Sequence, residues 1–187
     1  IYTALDPQVH RGLLDGRKDT LRRLKENGMD PSSEAQMGAL VVDIPTGEIQ
    51  AVLASRDDNA GFHRVLDAKR QIGSLVKPFV VAAAIEEDSR LHAGTLVRDE
   101  AVSIRDEQGN VWSPKNYEKT EQGVVRLENV IANSINQATV HLALGLGLDS
   151  ILDRLGEYGI PVGSTKPPAT VLGVSEMSPY QVATRYQ

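Results

Sequence analysis

The feature that most constrains this chain is a serine and a lysine three residues apart at the start of an apolar run. The segment Ser74-Leu-Val-Lys77-Pro78 is followed by seven apolar residues at 79–85. Pro78 has no N–H and is best tolerated in a first helical turn, so the pattern predicts a buried helix that starts close to Ser74 and ends near Asp88. Residues three apart share a helix face, with Cβ atoms roughly 5–6 Å apart, so Ser74 Oγ and Lys77 Nζ can meet.

This geometry suits a nucleophile beside its own base. The partial positive charge of the helix N-terminus and the apolar neighbours both disfavour an ammonium ion, which predicts a lowered pKa for Lys77. Backbone N–H groups at the same helix end are able to stabilise an oxyanion. The purely structural alternative makes Ser74 an N-cap and Lys77 a surface lysine, and a Ser-x-x-Lys pattern arises by chance about once in a chain of this length.

Composition excludes several other function classes. The 187 residues suffice for one sizeable core, and a net charge of −5 with no basic run argues against nucleic-acid binding. The chain has no cysteine, which excludes disulfides and thiolate metal sites, and no apolar segment long enough to span a bilayer. The four histidines, His10, His63, His92 and His141, show no metal-ligand spacing. The sequence therefore predicts no metal site.

Periodicity and turn signals predict an α+β fold, with a sheet flanked by helices and one domain over residues 1–187. The predicted elements are, in chain order, a strand at 1–5, a helix from Gln8 to about Asn27, a loop at 31–34, strands at 38–44 and 48–55 joined by a turn, a polar loop at 56–70, the Ser74 helix, a mostly irregular stretch at 91–123 with a short strand at 101–104, helices at 125–132, 138–145 and 149–158, and a last helix with a capping box that starts at Ser178.

Two further polar segments are candidates for a site. Asn133-Ser134-Ile135-Asn136 interrupts a helical pattern, where Ser134 is able to pass a proton and Asn136 to hold a substrate amide. The alternative is a plain break between two helices, because Ser and Asn favour such positions. The segment from Trp112 to Tyr117 holds the only tryptophan and could form one wall of a cleft or simply anchor a loop on the core.

Together these segments resemble one protein family. Arg70-Gln-Ile-Gly-Ser-Leu-Val-Lys-Pro78 is similar to the active-site segment of class A high-molecular-weight penicillin-binding proteins, and most of all to their 1B branch. Further segments resemble the family in the right order, namely Thr3-Ala-Leu-Asp-Pro7, the hairpin at 38–48, Trp112-x-Pro114-x-Asn116-Tyr117, Asn133-Ser134-x-Asn136-x-Ala138 and the stretch at 172–179. The resemblance therefore runs almost from end to end.

The resemblance implies the fold shared by penicillin-binding proteins and serine β-lactamases, and a D,D-transpeptidase that cross-links peptidoglycan. In this family an acyl-enzyme forms on the serine, β-lactam antibiotics acylate the same serine, and an amine of a second stem peptide resolves it. The protein implied is a bifunctional glycosyltransferase and transpeptidase at the periplasmic face of the bacterial inner membrane. The matching positions are Ser74 as nucleophile, Lys77 as its base, Ser134 as proton relay, and Asn136, Trp112, Asn116 and Tyr117 as substrate-binding residues.

The chain also departs from the family pattern. The third motif, Lys-Thr-Gly on a strand, is absent, and Lys119-Thr120-Glu121 lacks the glycine and lies between the first two motifs. We expect that motif beyond Gln187, and we expect the glycosyltransferase domain and the membrane anchor outside this chain as well. Without the strand that carries the third motif, we expect this chain to have a cleft that is open beside Ser74. If that strand is essential, we expect the chain alone to be inactive.

Two alternatives remain open at this point. A serine β-lactamase shares the superfamily, although Ile135 between Ser134 and Asn136 and the loop at 112–117 argue against its class A form. A non-catalytic module that binds the cell wall or a partner would keep the fold without the chemistry. The absent third motif keeps this second alternative open for the piece alone. For the whole protein, the presence of Ser74, Lys77, Ser134 and Asn136 argues against it.

Overall fold

A computed structural model describes residues 3–29, 36–56, 61–105 and 109–187. The helices and strands are, in chain order, α1 (Pro7–Glu26), β1 (Ala39–Val42), β2 (Ile49–Leu53), α2 (Arg64–Asp67), β3 (Arg70–Gln71), a 3-10 turn (Gly73–Val76), α3 (Lys77–Glu87), β4 (Leu96–Asp99), β5 (Ile104–Arg105), β6 (Val111–Trp112), β7 (Gly123–Arg126), α4 (Leu127–Ala132), α5 (Asn136–Leu146), α6 (Leu148–Glu157), a second 3-10 turn (Pro168–Leu172), β8 (Glu176–Met177) and α7 (Pro179–Arg185). This mixture confirms the predicted α+β class.

The chain divides into two compact units. One comprises Ile1–Arg70 and Met177–Gln187, and the other comprises Gln71–Glu176. All the residues predicted to form the site belong to the second unit. The prediction of a single domain over the whole chain stays a prediction.

The first unit is built on the predicted hairpin. Strands β1 and β2 pair antiparallel, with Ala39 opposite Leu53, while α1 packs on β2 and α7 packs on β1. Helix α1 starts where predicted, because the Asp6 carboxylate accepts hydrogen bonds from the N–H groups of Gln8 and Val9 at 2.6 and 3.2 Å. Helix α7 starts with the predicted capping box between Ser178 and Gln181.

Three predicted segments of this unit either differ from the structure or lie partly or wholly outside the described residues. Residues 3–5 of the strand predicted at 1–5 do not form a strand, and residues 1 and 2 lie outside the described residues. The predicted loop at 31–34 also lies outside them. In the loop predicted at 56–70, residues 57–60 lie outside and Arg64–Asp67 forms the short helix α2.

Three helices form the core of the second unit. Helix α3 packs on α5 and on α6, and these two also pack on each other. Their fully buried apolar side chains are Val80, Ala83, Ala84, Ala138, Val140, Ala143, Ile151, Leu152 and Leu155. A helix that is apolar on nearly every face must be central, which explains why the apolar run after Ser74 forms the middle of this core.

The stretch at 91–123 contains more strand than predicted. The predicted strand at 101–104 shares only Ile104 with β5 (Ile104–Arg105), and β4 and β6 were not predicted. Strand β4 buries Val97 and exposes Arg98, as hydrophobicity suggests, but its end residues do the opposite: Asp99 points inward and Leu96 is 68% exposed. It pairs with β7, which holds Val125, so the helix predicted at 125–132 starts only at Leu127.

Candidate active site

Ser74 lies on a 3-10 turn that leads directly into helix α3. The turn covers Gly73–Val76 and the helix begins at Lys77, with Pro78 in its first turn as predicted. Ser74 itself is exposed, whereas Val76 and Lys77 are buried. This placement leaves the Ser74 hydroxyl accessible to solvent, whereas the Lys77 side chain is buried.

A close approach between two backbone segments fixes the position of this turn. Gly73 has a φ of +53° and Gly173 a φ of +83°, and the Gly73 N–H donates to the Gly173 carbonyl at 2.9 Å. A Cβ added to Gly173 would clash with the Gly73 carbonyl oxygen and would lie 2.6 Å from the Gly73 nitrogen. Only glycine fits at position 173, and no local pattern in the sequence indicates this contact.

Lys77 is a buried lysine surrounded by hydrogen-bond acceptors. Its side chain is among the largest that are fully buried, with 1% of the residue exposed. Its Nζ donates to the carbonyl oxygen and to Oγ of Ser134, at 2.6 and 2.8 Å, and to Oδ1 of Asn136 at 2.7 Å. Burial disfavours the ammonium form and lowers the pKa of Lys77 from its usual range to about 8.

Ser134 joins the lysine to the candidate nucleophile. Its Oγ donates to Ser74 Oγ at 2.7 Å while it accepts from Lys77. Within the described residues, which include both partners, no hydrogen bond joins Ser74 Oγ directly to Lys77 Nζ. The helix spacing alone suggested that these two groups meet, but the hydroxyl of Ser134 lies between them in the hydrogen-bonded chain.

The backbone at Ser134 explains how its side chain reaches this position. Its φ is +53°, an uncommon conformation for a residue with a Cβ, and the residue lies between α4 and α5. The helix break predicted at 133–136 is therefore present. Strained backbone of this kind often occurs at functional sites, where surrounding contacts hold it in place.

Asn136, the first residue of α5, completes the hydrogen-bonded cluster. Its Oδ1 accepts from Lys77, and its Nδ2 donates to the carbonyl oxygen of Lys115 at 2.9 Å. Both halves of the amide thus bond to the protein. The structure therefore brings together the four residues Ser74, Lys77, Ser134 and Asn136, as predicted from the sequence.

The three loop residues predicted to bind substrate have different surroundings. Trp112 is half-buried on β6, opposite Ile104, and no hydrogen bond in the described part of the chain joins it to the cluster. Asn116 is held by internal hydrogen bonds, since its Oδ1 accepts from the Gln137 N–H at 3.0 Å. Tyr117 is 96% exposed. Their substrate contacts stay a prediction.

Asp99 is a residue of this region that sequence reasoning missed. It is fully buried at the end of β4, where its Oδ1 accepts from Asn116 Nδ2 at 2.7 Å and its Oδ2 from the Gln122 N–H at 3.0 Å. Asn116 in turn adjoins Lys115, whose carbonyl holds Asn136. The run Arg98-Asp-Glu100 reads as an exposed polar segment, so nothing local in the sequence revealed the burial.

We expect Asp99→Asn to lower both stability and the rate of any reaction at Ser74. The new amide must point an NH₂ group at either the Asn116 amide or the Gln122 N–H, which places donor against donor and breaks one buried hydrogen bond. Such a defect costs about 1–3 kcal/mol of unfolding free energy. Urea denaturation checks this, with Glu100→Gln as the control because that neighbouring carboxylate is exposed. Equal stability of the two variants would contradict the prediction.

Metal and membrane features can be stated for the described ranges. Across residues 3–29, 36–56, 61–105 and 109–187, no cluster of three or more His, Asp or Glu side chains is arranged to hold a metal ion. No helix in those ranges combines the length and the apolar character needed to cross a bilayer.

Comparison with known proteins identifies what this arrangement resembles. A family model described as the penicillin binding protein transpeptidase domain matches residues 37–175. Penicillin-binding protein 1B of Vibrio cholerae is 34% identical over 189 aligned positions, which cover 100% of this chain and 24% of that protein. The chain thus spans about a quarter of the length of that relative.

Solved structures give the same answer for the fold. Penicillin-binding protein 1A of Haemophilus influenzae superposes with a TM-score of 0.72 at 26% identity, over 80% of this chain and 22% of that one. The penicillin-binding protein PonA1 of Mycobacterium tuberculosis gives a TM-score of 0.75 at 22% identity, over 100% of this chain and 48% of that one.

Proposed function

Because this chain belongs to the penicillin-binding protein transpeptidase family, we propose that it carries the acylation machinery of a D,D-transpeptidase with Ser74 as the nucleophile. The observation that supports this most directly is the continuous chain of hydrogen bonds from Lys77 Nζ through Ser134 Oγ to Ser74 Oγ. An exposed serine linked to a buried amine with a lowered pKa is the arrangement that serine activation requires.

In the proposed first step, Ser74 Oγ attacks the carbonyl carbon of the penultimate D-Ala of a stem peptide. Ser134 accepts the Ser74 proton while it gives its own proton to the neutral amine of Lys77. The C–O bond forms and the peptide C–N bond breaks. The proton held on Lys77 then returns through Ser134 to the leaving D-Ala nitrogen, so the amine is neutral again when the acyl-enzyme is complete.

The other residues of the cluster hold this geometry. Asn136 holds Lys77 Nζ through its Oδ1. In this proposal Asn136 also contacts the substrate amide, and the Ser74 N–H supplies one oxyanion donor. None of these steps uses a metal or an organic cofactor. We further propose that the protein acts at the periplasmic face of the inner membrane, where peptidoglycan stem peptides are found, and that β-lactams are ligands of the same serine.

Labelling with a fluorescent penicillin tests the proposal. The protein at its natural length should carry a label that survives a denaturing gel, and Ser74→Ala should abolish it, because the ester bond to Ser74 cannot form. Ser113, an exposed serine directly after β6, provides the matched control Ser113→Ala, which should label normally. Rapid penicillin turnover without lasting label would indicate a β-lactamase instead. The absence of both label and turnover would refute the enzyme hypothesis.

A further inference from the structure

We propose that the loop of residues 116–122, together with the turn at 133–135, forms the binding site for the second substrate, a peptide amine that arrives as an ammonium ion. This inference rests on the proposed function, because an amine acceptor is needed only if an acyl-enzyme forms on Ser74. Three independent features of the loop lead to it.

The first feature is the way the loop is held. Both of its ends bond to the buried carboxylate of Asp99, through Asn116 Nδ2 and the Gln122 N–H. Asn116 also closes the loop from within, since its Nδ2 donates to the Thr120 carbonyl at 2.9 Å and its own carbonyl accepts from the Lys119 N–H at 3.1 Å. Lys119 adopts a φ of +55°. A fully buried carboxylate thus serves to fix the shape of a short surface loop.

The second feature is what the loop presents. Tyr117 is 96% exposed, an unusual position for an aromatic ring on a loop that is so firmly anchored. Glu118 is exposed as well and has neither a hydrogen bond nor an ion pair with any described residue. An aromatic ring beside an unpaired carboxylate is a combination that attracts a primary ammonium group on an alkyl chain.

The third feature is the cavity that the loop borders. Its volume is about 310 Å³, within the range of ligand sites, and its walls are the loop and the turn Asn133–Ser134–Ile135. Ser134 belongs both to this cavity and to the hydrogen-bonded cluster, where its Oγ lies 2.7 Å from Ser74 Oγ. A group bound here therefore adjoins the residue that would carry protons during transfer.

The distribution of charge around the loop favours a cation over the acyl donor's carboxylate terminus. Glu118 and Tyr117 line the cavity shared with Ser134. Lys115 and the loop residues Lys119 and Glu121 line a different cavity of about 260 Å³. The carboxylate on the walls of the Ser134 cavity is therefore that of Glu118. Lys77 Nζ lies 2.8 Å from Ser134 Oγ, so an ammonium ion is attracted to the Glu118 end of the cavity, away from Lys77.

The transfer step balances with the groups present. The bound ammonium loses one proton to water, and the resulting amine attacks the carbonyl carbon of the ester on Ser74. A C–N bond forms as the ester C–O bond breaks. The second nitrogen proton passes through Ser134 and Lys77, which is neutral at this stage, to Ser74 Oγ. The products are a new amide cross-link and free Ser74.

The test separates acylation from transfer. The protein at its natural length is acylated with a D-alanyl thioester, and transfer to Nα-acetyl-lysinamide is compared with transfer to hydroxylamine, a nucleophile that is uncharged at neutral pH. Glu118→Gln should raise the lysinamide concentration for half-maximal transfer about fivefold, as expected for loss of an exposed charge pair. Transfer to hydroxylamine and labelling by fluorescent penicillin should not change.

Glu26→Gln is the matched control, because Glu26 is an exposed carboxylate on α1. It should leave every readout unchanged. An unaltered lysinamide dependence in Glu118→Gln, or an equal loss with hydroxylamine, would overturn the inference while penicillin labelling of the wild type still supported the transpeptidase. A wild type without any penicillin label would instead refute the proposed function, and this inference with it.

Discussion

Lys77→Met is expected to slow acylation of Ser74 by penicillin by about 10²–10⁴-fold, the usual effect of removing a general base. Methionine fills nearly the same buried space but cannot accept a proton from Ser134. The hydrogen-bonded chain then ends at Ser134, whose carbonyl and Oγ lose the Lys77 donor. Stopped-flow measurement of the acylation rate constant checks this result.

The pH dependence of the acylation rate provides a second test of Lys77 as the base. Burial lowers the pKa of Lys77 to about 8. Below that pH most Lys77 is an ammonium ion, which has no lone pair for the proton, and above it most is the neutral amine. The rate constant in the wild type should therefore rise about tenfold from about pH 7 to about pH 9 and then level.

Two controls make the Lys77 result specific. Lys69→Met removes an exposed lysine near the same segment and should preserve both the rate and its rise with pH. Lys77→Met should retain a folded circular dichroism spectrum and show a flat pH profile at its low residual rate. A fast Lys77→Met variant, or a wild-type profile that is flat through pH 8, would exclude Lys77 as the base.

Gly173→Ala should also cause a large loss, with an origin in the backbone. The added methyl group would meet the Gly73 backbone, with the Gly73 nitrogen at 2.6 Å, so the two segments must separate. Gly73 immediately precedes Ser74, and a displacement of about 1 Å at a reacting group is able to slow a reaction about 10²-fold. Overpacking and the positive φ together should lower the unfolding free energy by about 2–4 kcal/mol.

Gly163→Ala separates the clash from the strain of the backbone. Gly163 has a φ of +72°, close to that of Gly173, but a Cβ added there meets no atom within 4 Å. It should therefore lose about 1–2 kcal/mol of stability and keep the wild-type acylation rate. Rates are compared at a temperature where circular dichroism shows each variant to be folded. Equal rates for the two variants would contradict the role assigned to the contact.

Several parts of the fold could be predicted because their signals are local. Pro78 and the apolar run after it place the start of α3, and Ser178 with Gln181 forms the predicted capping box. The central hairpin followed from its β-branched residues and its turn. Strand β4 was missed because Asp99 points into the protein and Leu96 points out, so only Val97 and Arg98 of the four residues follow the pattern that periodicity relies on.

The sequence by itself identified Ser74, Lys77, Ser134 and Asn136 as candidates for the site, since the spacing of Ser74 and Lys77 and the motif around Ser134 and Asn136 are local patterns. Only the tertiary structure decided how they connect. The Ser134 hydroxyl bonds to both Ser74 and Lys77, the buried Asp99 holds the loop at 116–122, and Gly173 lies against Gly73. Each of these contacts joins residues far apart in the chain. Its geometry depends on how the helices and loops pack, so it cannot be predicted from residue spacing.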